Sequence, residues 1–163
     1  MSITISKLGY KIKIKDEVIK VLKSYRQLKK NDYEAGGMLI GYETLNGDII
    51  IEFATEPFKR DKRKRFSFDR VDKKHNNILK SVWEREGNIH TYMGEWHTHP
   101  ENYPNYSFKD KKNWIKIGSK LDKEKFIHII VGNKSIFIWE YNVNGNKIVK
   151  LGEIKYEEDS KEI

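Results

Sequence analysis

Two histidines one residue apart at the end of an apolar stretch, followed closely by a serine–aspartate pair, constrain this chain more than any other feature. They lie in Gly94-Glu95-Trp96-His97-Thr98-His99-Pro100 and Ser107-Phe108-Lys109-Asp110. Alternate side chains of a strand face the same way, so His97 and His99 share one face while Trp96 and Thr98 take the other. Pro100 stops the strand. Ser107 then reads as a helix N-cap, with Asp110 in the first turn, where bare N–H groups favour both residues. Two imidazoles and one carboxylate are a ligand set for a zinc ion that keeps a fourth position open to water, the mark of a hydrolytic rather than a structural metal. Each part alone is bland: Ser107-x-x-Asp110 is also a plain capping box, and a lone strand histidine is usually core or surface. Together they require a strand end and a helix start to meet, both rigid supports for a site.

The chain has 163 residues, 37% hydrophobic and 12% aromatic, enough for one folded domain without staples. We place that domain at residues 1–155, with residues 156–163 an acidic C-terminal tail. There is no cysteine, which excludes a disulfide framework and a thiolate zinc site and fits a reducing compartment. Met1–Lys15 carries no apolar core of a secretion signal, and no stretch reaches membrane-spanning length, so a cytoplasmic protein without membrane partners is expected. The net charge of +8 comes largely from scattered lysines. Only Lys59–Arg65 is a dense basic run. It reads as a solvated loop or as the border of a substrate groove, and nucleic acid is not the expected partner.

Periodicity predicts an α/β (α+β) fold: a mixed central sheet flanked by about three helices. Ile12 and Ile14 alternate with lysines as in a short edge strand. Asp16 opens a helix ended by Asn31-Asp32, with Val18, Val21, Leu22, Tyr25 and Leu28 on its apolar face. Ala35–Glu43 and Ile49–Phe53 read as strands joined by a two-residue turn at Asn46-Gly47. Phe66 and Phe68 read as buried anchors of the basic segment. A second helix is expected over Asp69–Glu86, with Val71, His75, Ile78, Leu79 and Val82 inward and Gly87 as its stop. His90–His99 reads as a strand, and Ser107 starts a third helix carrying Trp114 and Ile115. Strands follow at Phe126–Val131, Ile136–Val143 and, after an Asn144-Gly145 turn, Lys147–Leu151.

A hydrolytic zinc also needs a general base near the attacking water. Glu34 is the candidate, because it precedes Gly36-Gly37 and a buried strand; its bland reading is an exposed loop carboxylate. Glu95 shares the strand face of both histidines. It reads as a hydrogen-bond partner of an imidazole N–H or an exposed residue, with a ligand or catalytic role as the other options.

These residues resemble the JAB/JAMM (MPN-domain) zinc metallopeptidases, whose motif is a glutamate before a Gly-Gly strand, then H-x-H-P, then S-x-x-D. Glu34-Ala35-Gly36-Gly37-Met38-Leu39-Ile40-Gly41 matches the first part. His97, His99, Pro100, Ser107 and Asp110 match the rest, and the element order agrees over about Ile12 to Leu151. The resemblance implies a cytidine-deaminase-like α/β fold with one Zn2+ per chain held by His97, His99 and Asp110. It implies that Glu34 moves the proton from water to the leaving amine and that Ser107 helps hold the oxyanion. It also implies cleavage of peptide or isopeptide bonds after a ubiquitin-like C-terminus.

Gly94–Pro100, Trp114 and Arg65-Phe66-Ser67-Phe68-Asp69 are most similar to stand-alone bacterial members, including the deconjugases of CBASS antiviral operons. There a ubiquitin-like conjugation system attaches a cyclic-oligonucleotide synthase to target proteins. The partner implied is therefore a protein conjugate or ubiquitin-like substrate with a flexible C-terminal tail. The interval from Asp110 to Phe126 leaves little room for the second substrate-gripping insertion of polyubiquitin-cleaving members, so a folded distal ubiquitin is not expected. The alternatives are a processing peptidase for a ubiquitin-like or sulfur-carrier precursor and a RadC-like nucleic-acid-associated protein.

Overall fold

A computed structural model describes residues 1–156, and the expected tail beyond Tyr156 lies outside the described residues. The elements run β1 (Ser2–Lys7), β2 (Tyr10–Lys15), α1 (Asp16–Ser24), β3 (Gly36–Glu43), β4 (Ile49–Ala54), β5 (Lys62–Lys64) and β6 (Ser67–Asp69). Then follow α2 (Lys74–Arg85), β7 (Thr91–Thr98), α3 (Phe108–Lys120), β8 (Lys125–Val131), β9 (Ser135–Asn142) and β10 (Lys147–Lys155). Eight strands form one sheet in the order β1-β2-β4-β3-β7-β8-β9-β10, while β5 and β6 form a separate hairpin. Pairs β2–β4 and β7–β8 are parallel and the others antiparallel, giving the expected mixed sheet.

Strand alternation sorts the core into two clusters. On one side Ile12, Ile14, Leu39, Ile51, Trp96, Ile129 and Ile138 pack with Val18, Ile19 and Leu22 of α1. On the other Met38, Ile40, Tyr92, Phe126, Ile130 and Trp139 pack with Val82 of α2 and Trp114 of α3. Burying a large side chain contributes about 1.5–3 kcal/mol, so both faces are firmly covered. The sheet curls until its edges meet: Lys7 Nζ donates to Lys150 O at 2.7 Å, and Ile5 packs where Gly152 has no side chain.

Several expectations need correction. The Ile12–Ile14 strand is not an edge, because β1 pairs with it in the register Ile3↔Ile14 and Ile5↔Ile12. The connecting turn uses Leu8 (φ 59°) and Gly9 (φ 85°). Leucine rarely adopts that conformation, so the turn carried little sequence signal. Helix α1 stops at Ser24 rather than near Asn31, and Leu28 is 62% exposed. Beyond it the buried Gln27 amide spans to the carbonyls of Asp32 and Arg65. The turn near Asn46-Gly47 is one residue longer than expected, closed by Gly47 N–H to Thr44 O and Thr44 N–H to Asp48 O. Helix α2 begins at Lys74, not Asp69, and Val71 and Ile78 are exposed. Phe66 is no anchor: it sits at the β5–β6 tip, 74% exposed.

Candidate metal centre

Three chain segments converge where β7 ends. Strand β3 runs antiparallel to β7 with Gly36 opposite His97, so the residue before β3 lies beside the end of β7. Thr98 N–H donates to Ala35 O and His99 N–H to Val131 O, which carries the pairing past both histidines. Helix α3 then starts with a full capping box: Ser107 Oγ accepts from Asp110 N–H, and Asp110 Oδ2 accepts from Ser107 N–H. This ties the Asp110 carboxylate to the helix start through Oδ2, with both oxygens also facing the histidines.

His97, His99 and Asp110 are all buried and meet as the sequence suggested. The Nε2 atoms of His97 and His99 stand 3.0 Å apart. Asp110 Oδ1 is 3.1 Å from His97 Nε2, and Oδ2 is 3.1 Å from His99 Nε2. Burial alone would raise the Asp110 carboxyl, but the charge and hydrogen bonds of the two imidazoles hold it well below the usual carboxylate range. Burial opposes protonation of His99, yet the Asp110 carboxylate raises it above the ordinary histidine value.

The donor set fits a zinc ion. Glu101 Oε1 lies 2.9 Å from His99 Nδ1, and accepting that N–H turns the Nε2 lone pair toward the cluster. Ligand atoms at about 2.0–2.1 Å from a tetrahedral ion stand about 3.3 Å from one another, close to the separations here. Two imidazole lone pairs and a carboxylate facing inward require a proton or a cation among them.

Glu34 is 4% exposed, and its carboxylate, with the two histidines, forms a group of ligand atoms within 4.8 Å of one another. Asp110 approaches both rings more closely, at 3.1 Å, with Glu34 as a second carboxylate beside them. Burial pushes the Glu34 carboxyl up to about 8, partly offset by His99 and reinforced by the Asp110 charge. Its main chain is clamped from the hairpin: Glu34 N–H donates to Lys64 O at 2.7 Å, and Arg63 Nε donates to Glu34 O at 2.8 Å. The glycines after it are spatial requirements. A Cβ on Gly36 would lie 2.5 Å from the Phe68 ring, and one on Gly37 would lie 2.0 Å from Thr55 O. The basic run is thus neither a free loop nor wholly a groove border. Arg63 and Arg65 donate to main-chain carbonyls between Lys29 and Glu34.

Glu95, ambiguous in sequence, pairs with Arg70 rather than with either histidine of the cluster. Both its oxygens are 2.9 Å from Arg70 Nε, on the side of β7 that carries His97. Burial pushes its carboxyl up to about 7 against the pull of Arg70. Sequence reasoning missed Arg70, which has no motif and precedes α2 in an irregular stretch. On the neighbouring strand β8, His128 stacks on Trp114 with centroids 4.5 Å apart, and its Nδ1 accepts from Glu95 N–H at 3.1 Å. Burial lowers this ring to about 3, so it stays neutral.

Two cavities flank the cluster. The larger, about 350 Å3, reaches from His97 and Asp110 past Glu95 and Arg70 to the outer face of α3. The smaller, about 250 Å3, is lined by Glu34, His99, Glu101 and Ser107. Phe68 lines both, and a Lys109–Asp69 ion pair of 3.1 Å joins α3 to the hairpin.

A buried two-histidine, two-carboxylate cluster beside a cleft, on a strand end and a helix start, is a donor set that could hold a metal ion. The family model described as prokaryotic homologs of the JAB domain matches residues 21–142, and the chain belongs to that family. It is 36% identical over 137 residues to a protein of Escherichia coli (strain TW11681) named CD-NTase/cGAS isopeptidase, covering 84% of this chain and 86% of that relative. A protein of the same name from Pseudomonas aeruginosa (strain BWHPSA011 / Pa011) is 35% identical over 122 residues, covering 74% and 76%. Among solved structures, protein DSY2949 from Desulfitobacterium hafniense superposes with a TM-score of 0.62 at 16% identity, over 93% of this chain and 97% of that one. That likeness concerns the fold.

Proposed function

We propose that this chain is a zinc-dependent isopeptidase that releases a protein from a conjugate by cutting after the C-terminal residue of the attached chain. The observation that carries this reading is the meeting of His97, His99 and Asp110 beside the buried Glu34. The attached chain is a cyclic-oligonucleotide synthase or a ubiquitin-like protein with a flexible tail, in keeping with the name of the relatives. The reaction belongs to bacterial antiviral defence in the cytoplasm. No helix among the described residues is long and apolar enough to cross a membrane.

His97, His99 and Asp110 would hold the metal. When bound, zinc supplies Lewis acidity toward the scissile carbonyl and lowers the pKa of water to about 7. Glu34 takes a proton from the attacking water and delivers it to the departing amine; its raised affinity for a proton suits the second half of that task. Ser107 Oγ accepts from Asp110 N–H, which leaves its own hydrogen free to donate to the tetrahedral oxygen. Phe68 of the hairpin gives both cavities an apolar wall beside the cluster. Interval Asp110–Phe126 is one helix and a short turn, so a flexible tail rather than a folded domain is what the cleft accepts.

The reading is tested by incubating zinc-loaded protein with a lysine conjugate of a Gly-terminated tail and with the corresponding linear fusion. We expect cleavage after the tail's last residue, abolished by Glu34→Gln with metal content unchanged. Equal cleavage by Glu34→Gln would remove Glu34 from its role, and no cleavage of either substrate would remove the hydrolytic reading.

A further inference from the structure

The larger cavity carries a charge pattern that the reaction does not use. Glu34 lines only the smaller cavity, together with Ser107. The amine leaves toward its proton donor, so the smaller cavity takes the amine side and the larger one the acyl side, where the tail lies. Three carboxylates line the larger cavity, and each is engaged: Glu95 by Arg70, Asp69 by Lys109, and Asp110 by the histidines. The cations are not matched. Lys62, Lys116 and Lys120 form no ion pair among the described residues. Lys116 and Lys120 stand one turn apart on α3, on the face that also turns Asn113 and Ile117 to the cavity.

Arg70 adds a directed donor. Its Nε is taken by both oxygens of Glu95, and the buried Tyr92 side chain, whose hydroxyl also interacts with the guanidinium, is its other neighbour, so no second carboxylate pairs with its terminal nitrogens among the described residues. The side chain is 21% exposed and lines the cavity. A guanidinium fixed through Nε, with terminal N–H groups that no carboxylate takes, is arranged to receive one.

We propose that this cavity is a specificity pocket for an acidic side chain in the substrate tail, with Arg70 as the reader and Lys62, Lys116 and Lys120 as its rim. The proposal rests on the hydrolytic reading above. Because His97 and Asp110 close one end of the cavity, the acidic residue stands within about four residues of the scissile bond.

The experiment places Glu, Gln or Lys in turn at each of the four tail positions before the bond in an otherwise neutral Gly-terminated conjugate, cleaved by zinc-loaded protein. Binding of the matching free tail peptides to Glu34→Gln is measured in parallel. At one position Glu should exceed Gln by about tenfold in kcat/KM and in affinity, with Lys poorest. Salt should reduce that preference. Arg70→Gln would leave Glu95 unpaired, so the reader is tested in the double variant Arg70→Gln/Glu95→Gln, and the rim in Lys116→Gln/Lys120→Gln, whose changes are exposed. The first should reduce the preference to within about twofold, and the second should weaken it. Equal handling of Glu, Gln and Lys at every position, or a preference that survives loss of Arg70, overturns the proposal while leaving the peptidase intact. Absence of cleavage of every tail overturns the hydrolytic reading and this pocket's role with it.

Discussion

Arg63→Ala decides what the basic run does. The substitution removes the 2.8 Å bond from Arg63 Nε to Glu34 O and a longer contact to Tyr33 O. Glu34 keeps its N–H bond to Lys64 O, so the hairpin stays paired to the segment before β3. A hydrogen bond from a charged donor contributes about 1.5–3 kcal/mol. Arg63 is exposed, and water can replace it at the carbonyl, so the loss in folding stability should be about 1 kcal/mol or less. The effect on chemistry is larger, because Glu34 loses one of its two main-chain anchors. Displacing a catalytic group by about 1 Å costs about 100-fold in rate, equal to about 2.7 kcal/mol of activation free energy. Steady-state cleavage of a conjugate, with zinc content measured on the same preparation, should show kcat reduced about 10- to 100-fold. KM should stay within about twofold and zinc should be unchanged. A raised KM with unaltered kcat would refute the clamp and make Arg63 a substrate contact.

Glu34→Gln should lower kcat by about 10²- to 10⁴-fold while zinc remains bound, measured by turnover and metal analysis of one sample. Asp110→Ala should lose zinc during dialysis that leaves the wild type loaded, and should fray the start of α3, because it removes both a ligand and half of the capping box. Asp61→Asn tests the buried network that ties the hairpin's base to α2: Asp61 accepts from the N–H groups of Phe58, Val71 and Asp72 and from His75 Nε2 at 2.6 Å. The amide turns one acceptor into a donor facing N–H groups, and at pH 7 the cost by urea denaturation should be about 3–5 kcal/mol. For the pH dependence, burial would raise the Asp61 carboxyl, but its backbone N–H and His75 bonds lower it; burial lowers His75 against the pull of Asp61. Both groups bind protons more weakly folded than unfolded, so their stabilisation is present at neutral pH and is lost on acidification, first through His75 and then through Asp61. The Asp61→Asn chain should lose less on acidification than the wild type, and parallel acid limbs would contradict the assignment.

The site was legible in sequence to the extent that its residues lie in short local patterns. His97-x-His99-Pro100 is a strand end and Ser107-x-x-Asp110 a helix start, and each dictates local geometry with little help from the rest of the fold. Glu34 was legible because Gly36-Gly37 announces a close approach, here the Phe68 ring and Thr55 O. What was not legible depends on contacts between distant segments. Arg70 reaches Glu95 across the cleft from an irregular stretch, and Arg63 reaches Glu34 from a hairpin whose tip hides Phe66 from no solvent. Strand β1 was missed because its turn places Leu8 in a conformation that leucine seldom takes. Helix α1 was drawn too long because apolar residues after Ser24 keep a helical spacing, while the Gln27 amide holds the chain in another path.

Under the proposed function, isopeptide cleavage depends on a zinc ion held by His97, His99 and Asp110. The most direct test is the cleavage rate of a Gly-tailed lysine conjugate by one preparation as isolated, after chelation, and after zinc is returned. Cleavage should be lost on chelation, recover at one zinc per chain, and not recover in His97→Ala. Cleavage that persists at undetectable zinc, or zinc-restored cleavage in His97→Ala, would contradict it.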